Sequence, residues 1–122
     1  MTDDSGQLLT LFERPLYFGR MTDPTSAAYL KGPCGDELEM YLIIEDRIIK
    51  EITFYTEGCI PTRVCGSMVA RLARGKSVDA ALGISARDVI KQLKDLPPGH
   101  AHCSILAVST LYRAIADYLL KQ

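Results

Sequence analysis

Alternating apolar and polar residues predict a β-hairpin in the first half of this chain. From Glu37 to Glu45 every second residue is apolar: Leu38, Met40, Leu42 and Ile44. A period of two is typical of a strand with one buried face. Asp46 and Arg47 interrupt the run, and β-branched and aromatic residues resume it from Ile48 to Tyr55, as expected for the second strand of a hairpin. We expect a third strand at Ala27 to Lys31.

The next segment shows helical spacing. Pro61 suits a first helical turn, and four apolar residues follow it in one row: Cys65, Met68, Val69 and Leu72. The polar residues are predicted on the opposite face: Arg63, Ser67, Arg71 and Arg74. Gly75 is expected to end this helix.

Two short helices and one long helix are predicted after Gly75. Ser77 to Leu82 forms a brief helical turn, and Ser85 to Asp88 resembles a capping box that opens a helix to about Lys94. Pro97 and Pro98 then stop the helix. Beyond His102, apolar residues recur at steps of three and four, which predicts a long amphipathic helix. Its apolar stripe is Ile105, Val108, Tyr112, Ile115 and Leu119.

Strands followed by helices indicate an α+β domain, with a small antiparallel sheet of about three strands covered by helices and a long C-terminal helix. The 122 residues and 48% apolar content suit a single domain with a real core, spanning residues 1–122. Gln7 to Phe12 is predicted as a short helix closed by Pro15. We interpret residues 1–20 as a mobile N-terminal segment.

The charge balance excludes some partners. Fourteen basic and fifteen acidic residues leave a net charge of -1, without the basic surface of a nucleic-acid binder. The longest apolar runs are shorter than the ~20 residues of a membrane span. The acidic start, Met1 to Asp4, is unlike a basic targeting segment. We therefore expect a cytoplasmic protein with neither nucleic acid nor membrane as a partner.

Three of the four cysteines stand beside turn-forming or metal-compatible residues, at Cys34, Cys59 and Cys103. In a reducing compartment, cysteines favour metal binding or reactive thiols over disulfides. Steps of 25 and 44 residues separate the three, so only the tertiary fold could bring them together. Each is predicted at the end of a helix or strand, and helix N-termini favour the thiolate form that binds metal. We expect an assembled metal site.

Short motifs occur along nearly the whole chain. In order, they are Glu13-Arg14-Pro15, Cys34-Gly35-Asp36, Gly58-Cys59, Gly75-Lys76-Ser77, His102-Cys103-Ser104-Ile105-Leu106-Ala107 and Ala114-Ile115-Ala116-Asp117-Tyr118. Together they resemble the iron-sulfur cluster assembly scaffolds of the IscU type, which also form the N-terminal part of NifU. The resemblance implies the α+β fold of that family.

The resemblance also implies a function and a ligand set. The cluster or metal ligands would be Cys34, Asp36, Cys59, His102 and Cys103. They would hold a transient [2Fe-2S] cluster, with zinc as an alternative occupant of the same site. The protein would then be a platform and not an enzyme. We interpret Cys103 as the sulfur acceptor, with thiolate character and an exposed approach.

The implied partners are a cysteine desulfurase as sulfur donor, apo iron-sulfur proteins as recipients, a ferredoxin and a frataxin-like protein. A homodimer that shares one cluster is compatible with the sequence. Leu96-Pro97-Pro98-Gly99-His100 replaces the Leu-Pro-Pro-Val-Lys of relatives, which argues against release by a dedicated Hsp70-type chaperone.

Two further differences from the family that the chain resembles lie near Cys59 in the sequence. Ile60-Pro61 replaces a pair of small residues, which stiffens the loop. Cys65 stands where relatives commonly have serine, and its apolar row indicates a buried structural thiol.

Two other functions share the same residues. A zinc-dependent SufU-like sulfurtransferase would use three cysteines and the aspartate, and it would be an enzyme. The 44-residue step from Cys59 to Cys103 lacks the insertion of SufU-type chains, and His102 precedes the last cysteine as in IscU-type scaffolds. A binding module with structural zinc would also be satisfied by three cysteines and one further ligand.

Overall fold

The sheet has three antiparallel strands in the order β1-β2-β3. The structure is a computed structural model that describes residues 17–33, 35–93 and 101–121. The strands are β1 (Ser26–Lys31), β2 (Glu37–Glu45) and β3 (Ile48–Tyr55). The predicted bounds of β2 and β3 are confirmed, and β1 begins one residue earlier than expected.

A tight turn joins β2 and β3. Its two residues, Asp46 and Arg47, have positive φ angles of 55° and 61°. Two left-handed residues in succession build the mirror-image turn whose twist matches that of the paired strands. The predicted hairpin is confirmed. The alternation in β2 is also confirmed, since its buried face consists of Leu38, Met40, Leu42 and Ile44.

Four helices are described: α1 (Ile60–Ala73), α2 (Val78–Ala81), α3 (Ala86–Gln92) and α4 (Ala101–Leu120). The predicted capping box is confirmed, because the Ser85 hydroxyl accepts from the Asp88 N–H while the Asp88 carboxylate accepts from the Ser85 N–H. α3 ends at Gln92, and Lys94 and the two prolines predicted to follow it lie outside the described residues.

Helices α1 and α4 cover the buried face of the sheet. α4 packs on β1 and β2, and α1 packs on β3 and on α4. The α1 helix lies very close to the sheet, because a Cβ atom at Gly66 would come within 2.7 Å of the Phe54 ring. The residues that follow α1 are hydrogen-bonded to β3. The Ile49 N–H donates to the Lys76 carbonyl and the Ile49 carbonyl accepts from the Gly75 N–H, both at 2.8 Å.

The predicted polar face of α1 is wrong at Ser67, which is 1% exposed. β3, α3 and α4 all contact this helix, so its buried arc is wider than the single stripe of the prediction. Arg71 and Arg74 are exposed, as predicted.

The predicted stripe of α4 is wrong at both ends. Ile105 is 57% exposed and Leu119 is 39% exposed, whereas Val108 and Ile115 are buried. The buried residues of α4 include smaller side chains that a search for large apolar residues passes over: Cys103, Ala107, Thr110 and Ala114.

By length and composition alone, α4 could cross a membrane, although Arg113 and Asp117 interrupt its apolar sequence. Over half of its apolar window, 56%, is buried inside the domain. Its burial is that of a core helix.

The first described residues run along β3. Gly19 donates to the Phe54 carbonyl at 2.7 Å, and Phe54 donates to the Tyr17 carbonyl at 2.9 Å. Arg20 pairs with both carboxylate oxygens of Glu39, at 2.9 and 3.0 Å. The rest of the segment predicted to be mobile, with its short helix, lies outside the described residues.

Gly66→Ala tests how closely α1 packs on the sheet. Helix propensity alone would stabilise the variant by up to about 1 kcal/mol, but overpacking against a buried ring costs about 1–3 kcal/mol. Phe54 is fully buried and edge-on to Phe18, so we expect net destabilisation of about 1 kcal/mol or more in urea unfolding. Arg71→Ala, on the exposed face, is the control. Higher stability of Gly66→Ala would show that the Phe54 ring gives way.

Candidate metal site

Asp36 lies at the end of the connection between β1 and β2. The connection closes when the Gly32 N–H donates to the Asp36 carbonyl at 2.8 Å. Asp36 is half-buried, and β2 begins at the next residue. The start of a central strand therefore fixes the backbone from which this carboxylate projects.

Cys59 is the N-cap residue of α1. Pro61 occupies the first turn, where its missing N–H leaves no helical hydrogen bond unmade, and Arg63 makes the first backbone bond to the Cys59 carbonyl at 3.2 Å. The Cys59 side chain makes no capping hydrogen bond and is exposed. Its sulfur is left available to other groups.

Cys103 lies in the first turn of α4 and is fully buried. The expectation of an exposed approach to this thiol is wrong. α4 packs on β1, β2 and α1, and this packing covers the sulfur from the core side. Cys59 is the exposed thiol of the two.

The fold brings three of the predicted ligands together. One donor atom each of Asp36, Cys59 and Cys103 lies within 4.8 Å of the others. The Cys59 sulfur is 3.2 Å from Asp36 Oδ2. His102, adjacent in α4, lies outside this tight group, and Cys34 lies outside the described residues. Their roles as ligands stay predictions.

Thr62 is the residue of the site that the sequence analysis missed. Its hydroxyl donates to Asp36 Oδ2 at 2.5 Å and lies 3.4 Å from the Cys59 sulfur and 3.5 Å from the Cys103 sulfur. A sequence signal did exist, because Thr62 stands three residues after the N-cap, and residues three apart share one face of a helix.

The Asp36 carboxylate accepts several hydrogen bonds. The hydrogen bond from Thr62 contributes most to a lowered Asp36 pKa, followed by bonds from the Cys59 side chain and backbone, and by the charge of His102, while burial acts in the opposite direction. Hydrogen bonds to the charged form favour it. The carboxylate is therefore held as an anion beside two sulfurs, in the form that binds metal.

Gly58 allows the chain to pass close to Asp36. A Cβ atom at this position would lie 3.0 Å from the Asp36 carboxylate and 3.1 Å from the Thr56 hydroxyl. That hydroxyl accepts from the Gly58 N–H at 2.9 Å and donates to the Glu37 carbonyl at 2.6 Å. The turn before Cys59 is thus tied to the strand after Asp36, which sets the distance between the two ligands.

Cys65 is buried in α1, as predicted. Burial raises the pKa of this thiol well above its usual range, and the nearby Cys103 and Cys59 raise it further. The thiol stays protonated at neutral pH, which fits the structural role that the sequence indicated.

The donor set suits a thiophilic metal. Two thiols and a carboxylate are a ligand combination accepted by zinc, and thiolates also hold iron-sulfur clusters. A cleft of about 140 Å³ opens beside the carboxylate and is lined by Gly35, Asp36, Glu37, Glu57 and Gly58. The residues present therefore fit a metal ion or cluster that is reached from the side of Asp36.

A three-stranded sheet covered by helices, with two thiols and a carboxylate brought together at the ends of its elements, defines an α+β domain with a candidate metal site. The family model described as NifU-like N terminal domain matches residues 3–122. The chain belongs to this family, which confirms the resemblance found in the sequence.

Similarity to named relatives covers most of this chain. The iron-sulfur cluster assembly scaffold protein IscU 1 of Archaeoglobus fulgidus is 35% identical over 96% of this chain and 77% of its own length. The scaffold protein IscU of Aquifex aeolicus is 32% identical over 95% of this chain and 76% of its own length. The N-terminal part of a nitrogen-fixing NifU-like protein from Brucella abortus superposes with a TM-score of 0.76 at 17% identity, over 95% of this chain and 94% of its own. This last likeness concerns the fold, and it confirms the predicted α+β class.

The burial of the thiols predicts an order of alkylation. Among the three cysteines that the structure describes, iodoacetamide should modify the exposed Cys59 fastest in metal-free protein, Cys103 much more slowly because it must first be uncovered, and Cys65 slowest because it is both buried and protonated. Peptide mass mapping over time measures the order. Modification of Cys65 together with Cys59 would contradict the packing of α1. Unfolding in guanidinium, where all thiols should react alike, is the control.

Proposed function

We propose that this chain is a scaffold on which an iron-sulfur cluster is assembled and from which it is passed to apo-proteins. The observation that carries the proposal is the convergence of the donor atoms of Asp36, Cys59 and Cys103 within 4.8 Å. The similarity to the IscU scaffold proteins of Archaeoglobus fulgidus and Aquifex aeolicus supports it. The cargo we propose is a labile [2Fe-2S] cluster.

The ligand set suits a temporary site. Stable clusters are usually held by four thiolates, whereas this site joins two described thiols to a carboxylate, and we propose Cys34 and His102 as its further ligands. A hard carboxylate in a thiolate site is the ligand most readily exchanged for an incoming thiol. Asp36 is half-buried, and it borders the cleft through which such a thiol would approach.

Sulfur would arrive from a cysteine desulfurase as a persulfide. A scaffold thiolate attacks the outer sulfur, the bond to the desulfurase cysteine breaks, and the new persulfide stays on the scaffold while the desulfurase thiolate leaves. Of the two site thiols that the structure describes, Cys59 is the exposed one and would meet the donor before Cys103. Cys103, the sulfur acceptor predicted from the sequence, could serve only after the start of α4 opens or after relay from Cys59.

Changing each cysteine to serine tests the scaffold role. We expect Cys34→Ser, Cys59→Ser and Cys103→Ser to abolish anaerobic reconstitution with iron and sulfide, because a serine hydroxyl stays protonated near neutral pH and is a poor ligand here. Cys65→Ser, the matched control on α1, should reconstitute nearly as wild type. Visible absorption and iron analysis measure the outcome.

Two other results would change the proposal. Equal loss in Cys65→Ser would add that thiol to the ligand set and overturn its structural role. A wild-type protein that holds zinc, takes up no cluster, and accepts persulfide sulfur catalytically would favour the zinc-dependent sulfurtransferase instead.

We expect Asp36→Ala to lengthen the life of the assembled cluster and to slow its transfer. Ligand exchange should slow because removing the carboxylate removes the position where water or an incoming thiol most readily enters. Decay of the visible band in air and the transfer rate to an apo-ferredoxin measure the effect. Glu57→Ala removes one negative charge from the same cleft and is the control. Faster decay of Asp36→Ala would show that this carboxylate holds the cluster in place.

A further inference from the structure

Thr62 occupies the centre of the metal site without being one of its predicted ligands. The residue is fully buried in the first turn of α1. Its Oγ1 atom lies within 3.5 Å of the three donor atoms that converge in the described part of the site, namely Asp36 Oδ2, the Cys59 sulfur and the Cys103 sulfur. The three groups belong to separate parts of the chain, and all of them contact this one hydroxyl.

The distances show which of the contacts is strongest. A hydroxyl has one proton to donate, and its 2.5 Å contact with Asp36 is at the short end expected for a hydrogen bond to a carboxylate. The sulfur contacts at 3.4 and 3.5 Å are longer. The main partner of the Thr62 hydroxyl is therefore the carboxylate.

We propose that Thr62 is a positioning residue of the metal site, whose hydroxyl holds the Asp36 carboxylate toward the two sulfurs. The inference rests on the proposed function only in that the site binds metal. Without this bond the carboxylate would keep only its weaker hydrogen bonds from the side chain and backbone of Cys59, at the border of a cleft through which water can compete for it. With the bond, Oδ2 stays 3.2 Å from the Cys59 sulfur.

Thr62 is suited to this role because it is rigid. A β-branched side chain in a helix has few χ1 rotamers, and the helix that carries it is fixed by the close approach of Gly66 to Phe54. The donor is thus fixed by the core, while the acceptor is on a connection between strands. Groups that orient a metal ligand in this way typically contribute a factor of about 10–100 to metal affinity.

Thr110 provides a matched control within the same protein. It is also fully buried, but its hydroxyl donates to the Leu106 carbonyl at 2.8 Å, within α4. Replacing either threonine by valine removes a buried hydroxyl and keeps the shape of the side chain. Of these two threonines, Thr62 is the one whose acceptor is a predicted metal ligand, so loss of stability can be separated from loss of positioning.

Cobalt titration of the metal-free protein tests the proposal. The thiolate-to-cobalt charge-transfer band gives the dissociation constant and reports the ligand environment. We expect Thr62→Val to bind Co²⁺ about 10–100-fold more weakly, with an altered band shape. Thr62→Ser, which restores the hydroxyl, should bind within a few-fold of wild type, and Thr110→Val should bind as wild type does. If Thr62→Val does not fold, Thr62→Ala is titrated in its place.

A double-mutant cycle with Asp36→Ala separates positioning from general damage. If Thr62 acts through the carboxylate, Thr62→Val should weaken Co²⁺ binding little or not at all once Asp36 is already alanine. The proposal is overturned if Thr62→Val binds as tightly as wild type, or if its full effect persists without Asp36.

The same experiment keeps this inference distinct from the scaffold function. A wild-type protein that binds no Co²⁺ would overturn both the metal site and the role of Thr62. A different result is a protein that binds Co²⁺ and shows the expected coupling between Thr62→Val and Asp36→Ala, yet forms no cluster from iron and sulfide. That result would overturn the scaffold function and support the role of Thr62.

Discussion

Packing of α1 and α4 onto one apolar face of a three-stranded sheet is the constraint on which the site depends. The large buried side chains of β2 and β3 form one side of this contact, with Met40 and Phe54 paired across the strands. Removing this apolar surface from water stabilises the fold. The same packing fixes where each helix begins, and Cys59 and Cys103 lie at those beginnings.

The polar site lies where this apolar contact ends. A carboxylate so close to a core is costly unless it receives hydrogen bonds, and Asp36 receives them from Thr62 and from both the side chain and backbone of Cys59. Its donors come from the first turn of α1. A carboxylate that can bind metal is therefore kept charged at the edge of the core mainly by hydrogen bonds, with the charge of His102 as a smaller contribution.

Most of the fold could be predicted from the sequence because its strands and helices have local signals. The alternation in β2 and the capping box at Ser85 depend on neighbours within a few residues, and both are confirmed. The helix faces were harder to predict. Ser67 is buried and Ile105 exposed because the position of a residue on a helix says nothing about how many elements surround that helix.

The site was predicted only in part, because some of its contacts join residues that are far apart in the sequence. Asp36, Cys59 and Cys103 could be named from their residue types and from motifs that resemble a known family, and their convergence follows from the fold. Thr62 has an ordinary residue type for a helix start, and its importance depends on a contact with Asp36 that spans 26 positions. The burial of Cys103 likewise depends on what packs around α4.

The unequal exposure of the two described site thiols also determines which of them is damaged first by oxidants. Peroxide attacks accessible thiolates and converts them stepwise to sulfenic and then irreversible sulfinic acids. Cys59 is exposed and Cys103 is fully buried, so oxidation would begin at the outer sulfur while the inner one is shielded by the core. A brief oxidative exposure would then leave a sulfenic acid at Cys59, which cellular thiols can still reduce, and an intact thiol at Cys103 on which the site can be rebuilt.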